Sequence, residues 1–151
     1  MKLPIHNINE MKISGVSIQL NPQENEYKER YFQWTPYNLK TSFNGQEIIS
    51  GRLIGWHHAP VFTEVETHGS DEMFFFTHGE CIMIFCDLKN GIPALETVQL
   101  ARIPAGTQVL VHAGKAHFVP VATGDYFEAV LYAPVQDSPR ASLAEPIEGI
   151  V

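Results

Sequence analysis

The stretch Cys81-Ile82-Met83-Ile84-Phe85-Cys86 has no polar residue at any position. Side chains of a strand alternate between two faces, so a strand of this composition must be covered on both. It is one of many. Ile48 to Trp56, Val61 to His68, Met73 to Thr77, Thr97 to Ile103, Gln108 to Val111, His117 to Val121 and Tyr126 to Tyr132 are all short and separated by turn residues. Regular short strands with Gly, Pro and Asn punctuation predict an all-β sandwich or barrel built from hairpins. In a small barrel the second cover of a doubly apolar strand is often another subunit. A homodimer is therefore expected, with Cys81 to Cys86 and the run Phe74-Phe75-Phe76 partly buried between copies.

With 151 residues, 44% of them hydrophobic, the chain has the size of one domain with a real core. Residues 1–45 read as an N-terminal extension with edge strands, 46–133 as the barrel, and 134–151, carrying Pro134, Pro139 and Pro146, as an irregular surface tail. Ile13 to Leu20 alternates loosely and predicts an edge strand. Asn21-Pro22-Gln23-Glu24 carries the signals of a helix start, whereas Tyr27, Tyr31 and Trp34 suit one face of a helix or a strand equally. Asn44-Gly45 predicts a two-residue turn joining Leu39 to Phe43 with Gln46 to Trp56 in a hairpin.

A formal charge of −7, with ten scattered basic residues, argues against a nucleic-acid partner. No apolar segment reaches membrane-span length, and Met1-Lys2-Leu3-Pro4 opens no signal-peptide core, so the expected address is the cytoplasm. Cys81 and Cys86 lie five apart, on opposite faces of one strand, and are expected as buried thiols that do not pair.

The chemistry concentrates between Glu66 and Gly79. Glu66 and His68, two apart, leave the same face of an extended strand, and Glu72 follows across a short polar turn. Two carboxylates and an imidazole on rigid strands suit a divalent cation or an acid/base site. The spacing of His68, Glu72 and Gly79 resembles the first motif of the cupin superfamily, with Glu66 standing where the motif carries its first histidine. Gly114-Lys115-Ala116-His117 resembles the glycine-to-histidine core of the second motif. Within the superfamily, His68 to Glu80 and Gly114 to His117 look most like the ureidoglycolate lyase family.

That resemblance implies a small cupin-like antiparallel barrel (a double-stranded β-helix or jelly roll). Glu66, His68, Glu72 and His117 would meet there around manganese, iron or zinc. A metal-dependent lyase of this family cleaves a ureido group from a short hydroxy acid, giving glyoxylate and urea. Sugar isomerisation, metal-dependent oxygenation and ligand binding without turnover are the alternatives, since one fold hosts many chemistries. Glu128, in the apolar strand Tyr126 to Tyr132, is a candidate proton shuttle, and Arg52 a candidate grip for a substrate carboxylate. His78 is expected in solvent, His57 and His58 as an exposed pair, and His112 at a strand end outside the site.

Overall fold

The computed structural model describes residues 1–151. Its strands are β1 (Lys2–Asn7), β2 (Val16–Leu20), β3 (Tyr27–Lys28), β4 (Gln33–Trp34), β5 (Ile48–Trp56), β6 (Val61–Glu66), β7 (Glu72–His78), β8 (Glu80–Cys86), β9 (Leu88–Lys89), β10 (Ile92–Pro93), β11 (Gln99–Pro104), β12 (Thr107–Val111), β13 (Ala116–His117), β14 (Val121–Ala122), β15 (Tyr126–Pro134) and β16 (Arg140–Ile150). Helix is confined to two single turns, Ile8–Glu10 and Leu95–Thr97. No helix is long and apolar enough to cross a membrane.

Two assemblies share a wall. Strands β11, β1, β16, β6, β13 and β8 follow one another side by side, and β8 pairs back onto β11, closing a six-stranded ring. A five-stranded sheet, in the order β2, β12, β7, β15, β5, packs against the β8–β11 side of that ring. β8 faces both. Cys81, Met83 and Phe85 point into the space under the five-stranded sheet, among Phe74, Phe76, Val109, Phe127 and Ala129. Ile82, Ile84 and Cys86 point into the ring, among Phe62, Val65, Leu100, Leu143 and Ile147. Both covers of the apolar strand thus come from its own chain, which corrects the expectation that a second subunit supplies one.

The turn between β7 and β8 fixes how the two assemblies meet. Gly79 has φ +71°, and a Cβ there would stand 2.4 Å from the Tyr126 carbonyl oxygen, so only glycine fits. This is the physical reason for the glycine seven residues after Glu72.

Several sequence expectations are overturned. The tail is not irregular: β16 runs from Arg140 to Ile150 and pairs with both β6 and β1. Its prolines are placed where a missing N–H costs little: Pro134 ends β15, Pro139 lies in the loop before β16, and Pro146 sits where the register shifts between Ser142 and Ile147. Nor are residues 1–45 a simple extension. β1 is a ring strand with parallel pairing to β11 and β16, so the barrel is mixed rather than wholly antiparallel. No helix follows Asn21. Asn21 and Asn25 adopt left-handed backbone, at φ 39° and 58°, which a helix start does not tolerate, and β3 and β4 form a small hairpin instead. Asn44-Gly45 does turn, with Gln46 N–H donating to Phe43 O, but residues 39–43 form no strand. That segment lies across the outer face of the five-stranded sheet, held by Tyr37 against Phe75 and Thr41 on Asp71.

Cys81 and Cys86 are both fully buried and unpaired, and they occupy different cores. Burial pushes both thiols up, Cys86 to about 11 and Cys81 further. Neither should react with a disulfide reagent at pH 8 in the native protein, and both should react at once in denaturant. Prompt native labelling of either thiol would contradict this packing.

Candidate metal centre

The site sits at one end of the space between the five-stranded sheet and the ring. β7 brings Glu72 there because it shares a face with Phe74 and Phe76, which line the same interior. His117, on the two-residue strand β13, lies between Glu66 of β6 and Phe85 of β8. Val65 turns into the ring core, and its neighbour Glu66 belongs to the site. His68 follows β6 in a loop whose carbonyl accepts from Gly114 N–H. Glu66 and His117, fifty-one positions apart in the chain, are thus direct cross-strand neighbours.

Each imidazole is anchored at one nitrogen and orphaned at the other. His117 Nδ1 lies 3.0 Å from the Lys115 carbonyl, and His68 Nδ1 lies 3.2 Å from the Asp137 carbonyl and 3.3 Å from Ser138 Oγ. A carbonyl only accepts, so the proton belongs on Nδ1 and the lone pair on Nε2. Both Nε2 atoms are buried without a hydrogen bond. They face carboxylates: His68 Nε2 is 3.7 Å from Glu66 and 3.3 Å from Glu72, and His117 Nε2 is 3.5 Å from the other Glu72 oxygen. Two lone pairs aimed at two carboxylates repel unless a proton or a metal cation lies between them. The donor set therefore fits a divalent metal, with the carbonyls acting as the outer partners that orient metal-binding imidazoles.

One atom from each of Glu66, His68 and His117 lies within 4.8 Å of the other two. Glu72 touches both histidines yet falls outside this trio. All four residues expected from the sequence are together, with Glu72 in the most open-ended role. Phe74 closes the back, edge-on to the His117 ring at 6.2 Å.

The two remaining candidates lie elsewhere. Arg52 and Glu128 face away from Leu53, Phe127 and Ala129, which pack into the interior. They form a cross-strand ion pair on the outer face of the sheet, 2.5 Å apart, and the pairing with Glu128 holds the guanidinium above its ordinary pKa. Strand alternation alone leaves open which parity faces in, and here it is the opposite one. His78 is exposed, as expected, and stacks on Tyr126.

The sequence reading missed two contributors, the 134–139 loop and Lys115. Residues 134–139, assigned to the tail, supply both anchors of His68. Through Val135 and Gln136 they also border two cavities that share His68. One, of about 300 Å³, is lined by Ile49, Leu131, Ala133, Glu72, Gln136 and Ser138 among others; the second, of about 570 Å³, opens past Gly69, Gly114 and Asp137. Lys115 is buried with its ammonium 2.7 Å from Asp87, pinning the turn whose carbonyl holds His117. Its position two before a motif histidine was the available signal.

His112 lies outside the centre and joins Ser17 and Asp71 in a relay, Ser17 Oγ at 3.0 Å from Nε2 and Asp71 at 3.3 Å from Nδ1. The order resembles a hydrolytic triad, but none of the main cavities touches Ser17. The relay instead clamps the segment that covers the sheet. Burial raises the Asp71 pKa, but hydrogen bonds from Thr41 and the Ala113 N–H, with His112 beside it, outweigh burial and hold it below the usual value. Its contribution is present above the unfolded value of about 3.9 and lost as pH falls through the lower folded one. Asp71→Asn should thus cost about 1 kcal/mol at neutral pH. In urea unfolding the gap from wild type should close on acidification below that range.

His68→Ala and His117→Ala should each lower bound divalent metal by at least tenfold in elemental analysis while the protein stays folded, since its cores are apolar. The double variant should lose little more, because both would serve one ion. His78→Ala should leave metal content unchanged.

Among proteins of known structure, this chain is similar to RmlC from Streptococcus suis in complex with dTDP-D-xylose, with a TM-score of 0.51 and 15% identity. The match covers 80% of this chain and 64% of that one. No family model matches the sequence, and no curated protein does. At this identity the likeness carries the fold alone, and together with the closed β-architecture it gives the chain a cupin-type jelly-roll fold.

Proposed function

We propose that the chain is a metal-dependent cupin enzyme acting on a small polar metabolite. The observation that carries this reading is the pair of buried, unpartnered Nε2 atoms beside two carboxylates, with His68 and Glu72 of that group at the wall of a cavity. Glu66, His68 and His117 would hold manganese, iron or zinc, which suit mixed nitrogen and oxygen donors. When bound, the ion supplies Lewis acidity to a hydroxyl or carbonyl oxygen of the substrate. Glu72, which lines the cavity, is the chain's own group for holding or moving a proton there, the role that Glu128 on the outer face does not fill. Ile49, Leu131 and Ala133 exclude water, and Gln136 and Ser138 offer polar atoms to orient the ligand.

Neither cavity at His68 is lined by a lysine or arginine. A negative charge on the substrate would be met only at the metal, which favours one short carboxylate or a neutral sugar over a diphosphate. Within that class, the resemblance of His68 to Glu80 and of Gly114 to His117 to the ureidoglycolate lyase family implies a ureido or hydroxy acid such as ureidoglycolate. Ligand binding without turnover is the second reading. It is favoured by the lack of a titratable group other than Glu72 and the ligand His68 at the 300 Å³ cavity.

Metal-loaded protein should gain several degrees in Tm with short hydroxy acids or sugars, and none with nucleotides. Arg52→Ala and Glu128→Gln should show the same ligand shift as wild type. Glu72→Gln should reduce turnover of ureidoglycolate, followed as glyoxylate release, by about a hundredfold or more, the size of a lost general base. Stabilisation by nucleotides alone, or protein that neither contains nor takes up metal, would overturn the reading. Ligand shifts without glyoxylate or any other product would leave the binding protein in its place.

A further inference from the structure

Of the five buried side-chain nitrogen and oxygen atoms that lack a hydrogen bond, three belong to residues at or beside the metal centre: Nε2 of His68, Nε2 of His117 and Nε2 of Gln136. The two imidazole atoms present lone pairs and call for a cation. The third is of the opposite kind. Gln136 Oε1 accepts from the Ser70 N–H at 3.0 Å, which settles the two ends of the amide, so the unpartnered end is the NH2 group. A donor sealed from water calls for an acceptor, and no group of its own chain supplies one.

Position makes this donor part of the site. Gln136, His68 and Val135 border both cavities, so a ligand reaching from one into the other passes the amide. The side chain is also held from neighbouring loops. Ser70, whose N–H it takes, donates its own hydroxyl to Gln46 Oε1 at 3.1 Å, so residues 46, 70 and 136 are tied in a row. The other polar side chains of the smaller cavity are already engaged: His68 and Glu72 face each other at 3.3 Å in the candidate centre, and Ser138 Oγ lies 3.3 Å from the His68 ring nitrogen. Gln136 is thus the uncommitted side-chain donor there.

We propose that Gln136 is a specificity-determining residue, whose NH2 group donates to an uncharged oxygen on the tail of the substrate: an amide or urea carbonyl, or a hydroxyl. This deepens the reading above and rests on it, since the acid end of the same molecule is taken to meet the metal. The tail oxygen is uncharged because Glu72 and Asp137 border the cavities and no lysine or arginine does, so a second carboxylate would meet repulsion with no cation to answer it. An aliphatic tail fares no better. It would close over the NH2 group and leave it unpaired, and a site built to bond a polar atom rejects a ligand that lacks one. The class is therefore a short monocarboxylate with a neutral carbonyl or hydroxyl tail, as distinct from a dicarboxylate or a branched fatty acid.

Succinamate, succinate and isocaproate share one heavy-atom outline and differ in whether the far end is a neutral amide, an anion or a pair of methyl groups. Calorimetric titration of manganese-loaded protein should find succinamate bound about tenfold tighter than either of the others, the worth of one hydrogen bond. Gln136→Met removes the donor without adding charge, whereas Gln136→Glu keeps an acceptor for the Ser70 N–H and replaces only the NH2 group. Each should abolish the preference for succinamate over isocaproate, and Gln136→Met should retain the manganese content of wild type. A residue that merely braces the loops would behave otherwise: Gln136→Met would weaken all the probes together, and Gln136→Glu would match wild type. That pattern, a wild type that holds succinamate and isocaproate alike, or tighter binding of succinate overturns the proposal and leaves the metal-centre reading standing. Binding of none of the probes by protein that carries manganese sinks the short-acid reading, and the proposal with it. Should Gln136→Met misfold by circular dichroism, Gln136→Glu decides alone.

Discussion

A strand with no polar side chain must find two dry surfaces, and β8 finds both within one chain. Its odd-numbered residues close the space under the five-stranded sheet and its even-numbered ones fill the six-stranded ring. Both cores consequently stand on a common wall, and a shift of register by one residue would exchange their contents. The glycine at position 79 matters for the same reason, since it fixes where β8 begins relative to β7. The candidate metal centre inherits this precision: His117 is paired with Phe85 of β8, and Glu72 lies on β7, so the shared wall sets their separation.

The centre itself is an electrostatic arrangement of donors that could hold a metal ion. Backbone carbonyls settle the tautomers of His68 and His117, and the tautomers aim two lone pairs at carboxylates. Burial makes that juxtaposition costly, because little water is available to separate the like-signed groups. Residues that hold no ligand atom bear on the result. Lys115, neutralised by Asp87, stabilises the turn that presents the His117 anchor, and its aliphatic stem packs against Gly15 at the start of the chain.

Much of this was legible in the sequence, for identifiable reasons. The barrel strands announce themselves because short apolar runs punctuated by Gly, Pro and Asn have few other uses, and His68, Glu72 and Gly79 keep a spacing that strand geometry explains. What stayed hidden depended on long-range choices. Strand alternation placed Glu128 and Arg52 on one face or the other with equal ease, and only packing of Phe127 and Leu53 decided it. Pro134, Pro139 and Pro146 read as breakers, whereas the fold puts them at a strand end, in a loop and at a register shift, where a missing N–H costs little. Parallel pairing of β1 with β11 and β16 joins segments about 95 and 146 positions away, beyond the reach of any local pattern.

The loop from Pro134 to Pro139 carries one more consequence. Its Asp137 carbonyl and Ser138 hydroxyl steer the His68 ring, and its Val135 and Gln136 form walls of both neighbouring cavities. The gatekeeper and the tuning screw are therefore one piece of backbone. A guest too bulky for the smaller cavity would have to push this loop outward, and in doing so it would rotate an imidazole away from its carboxylates. Size selection in such a pocket needs no steric wall at the reacting centre: an ill-fitting guest would disassemble the centre by entering.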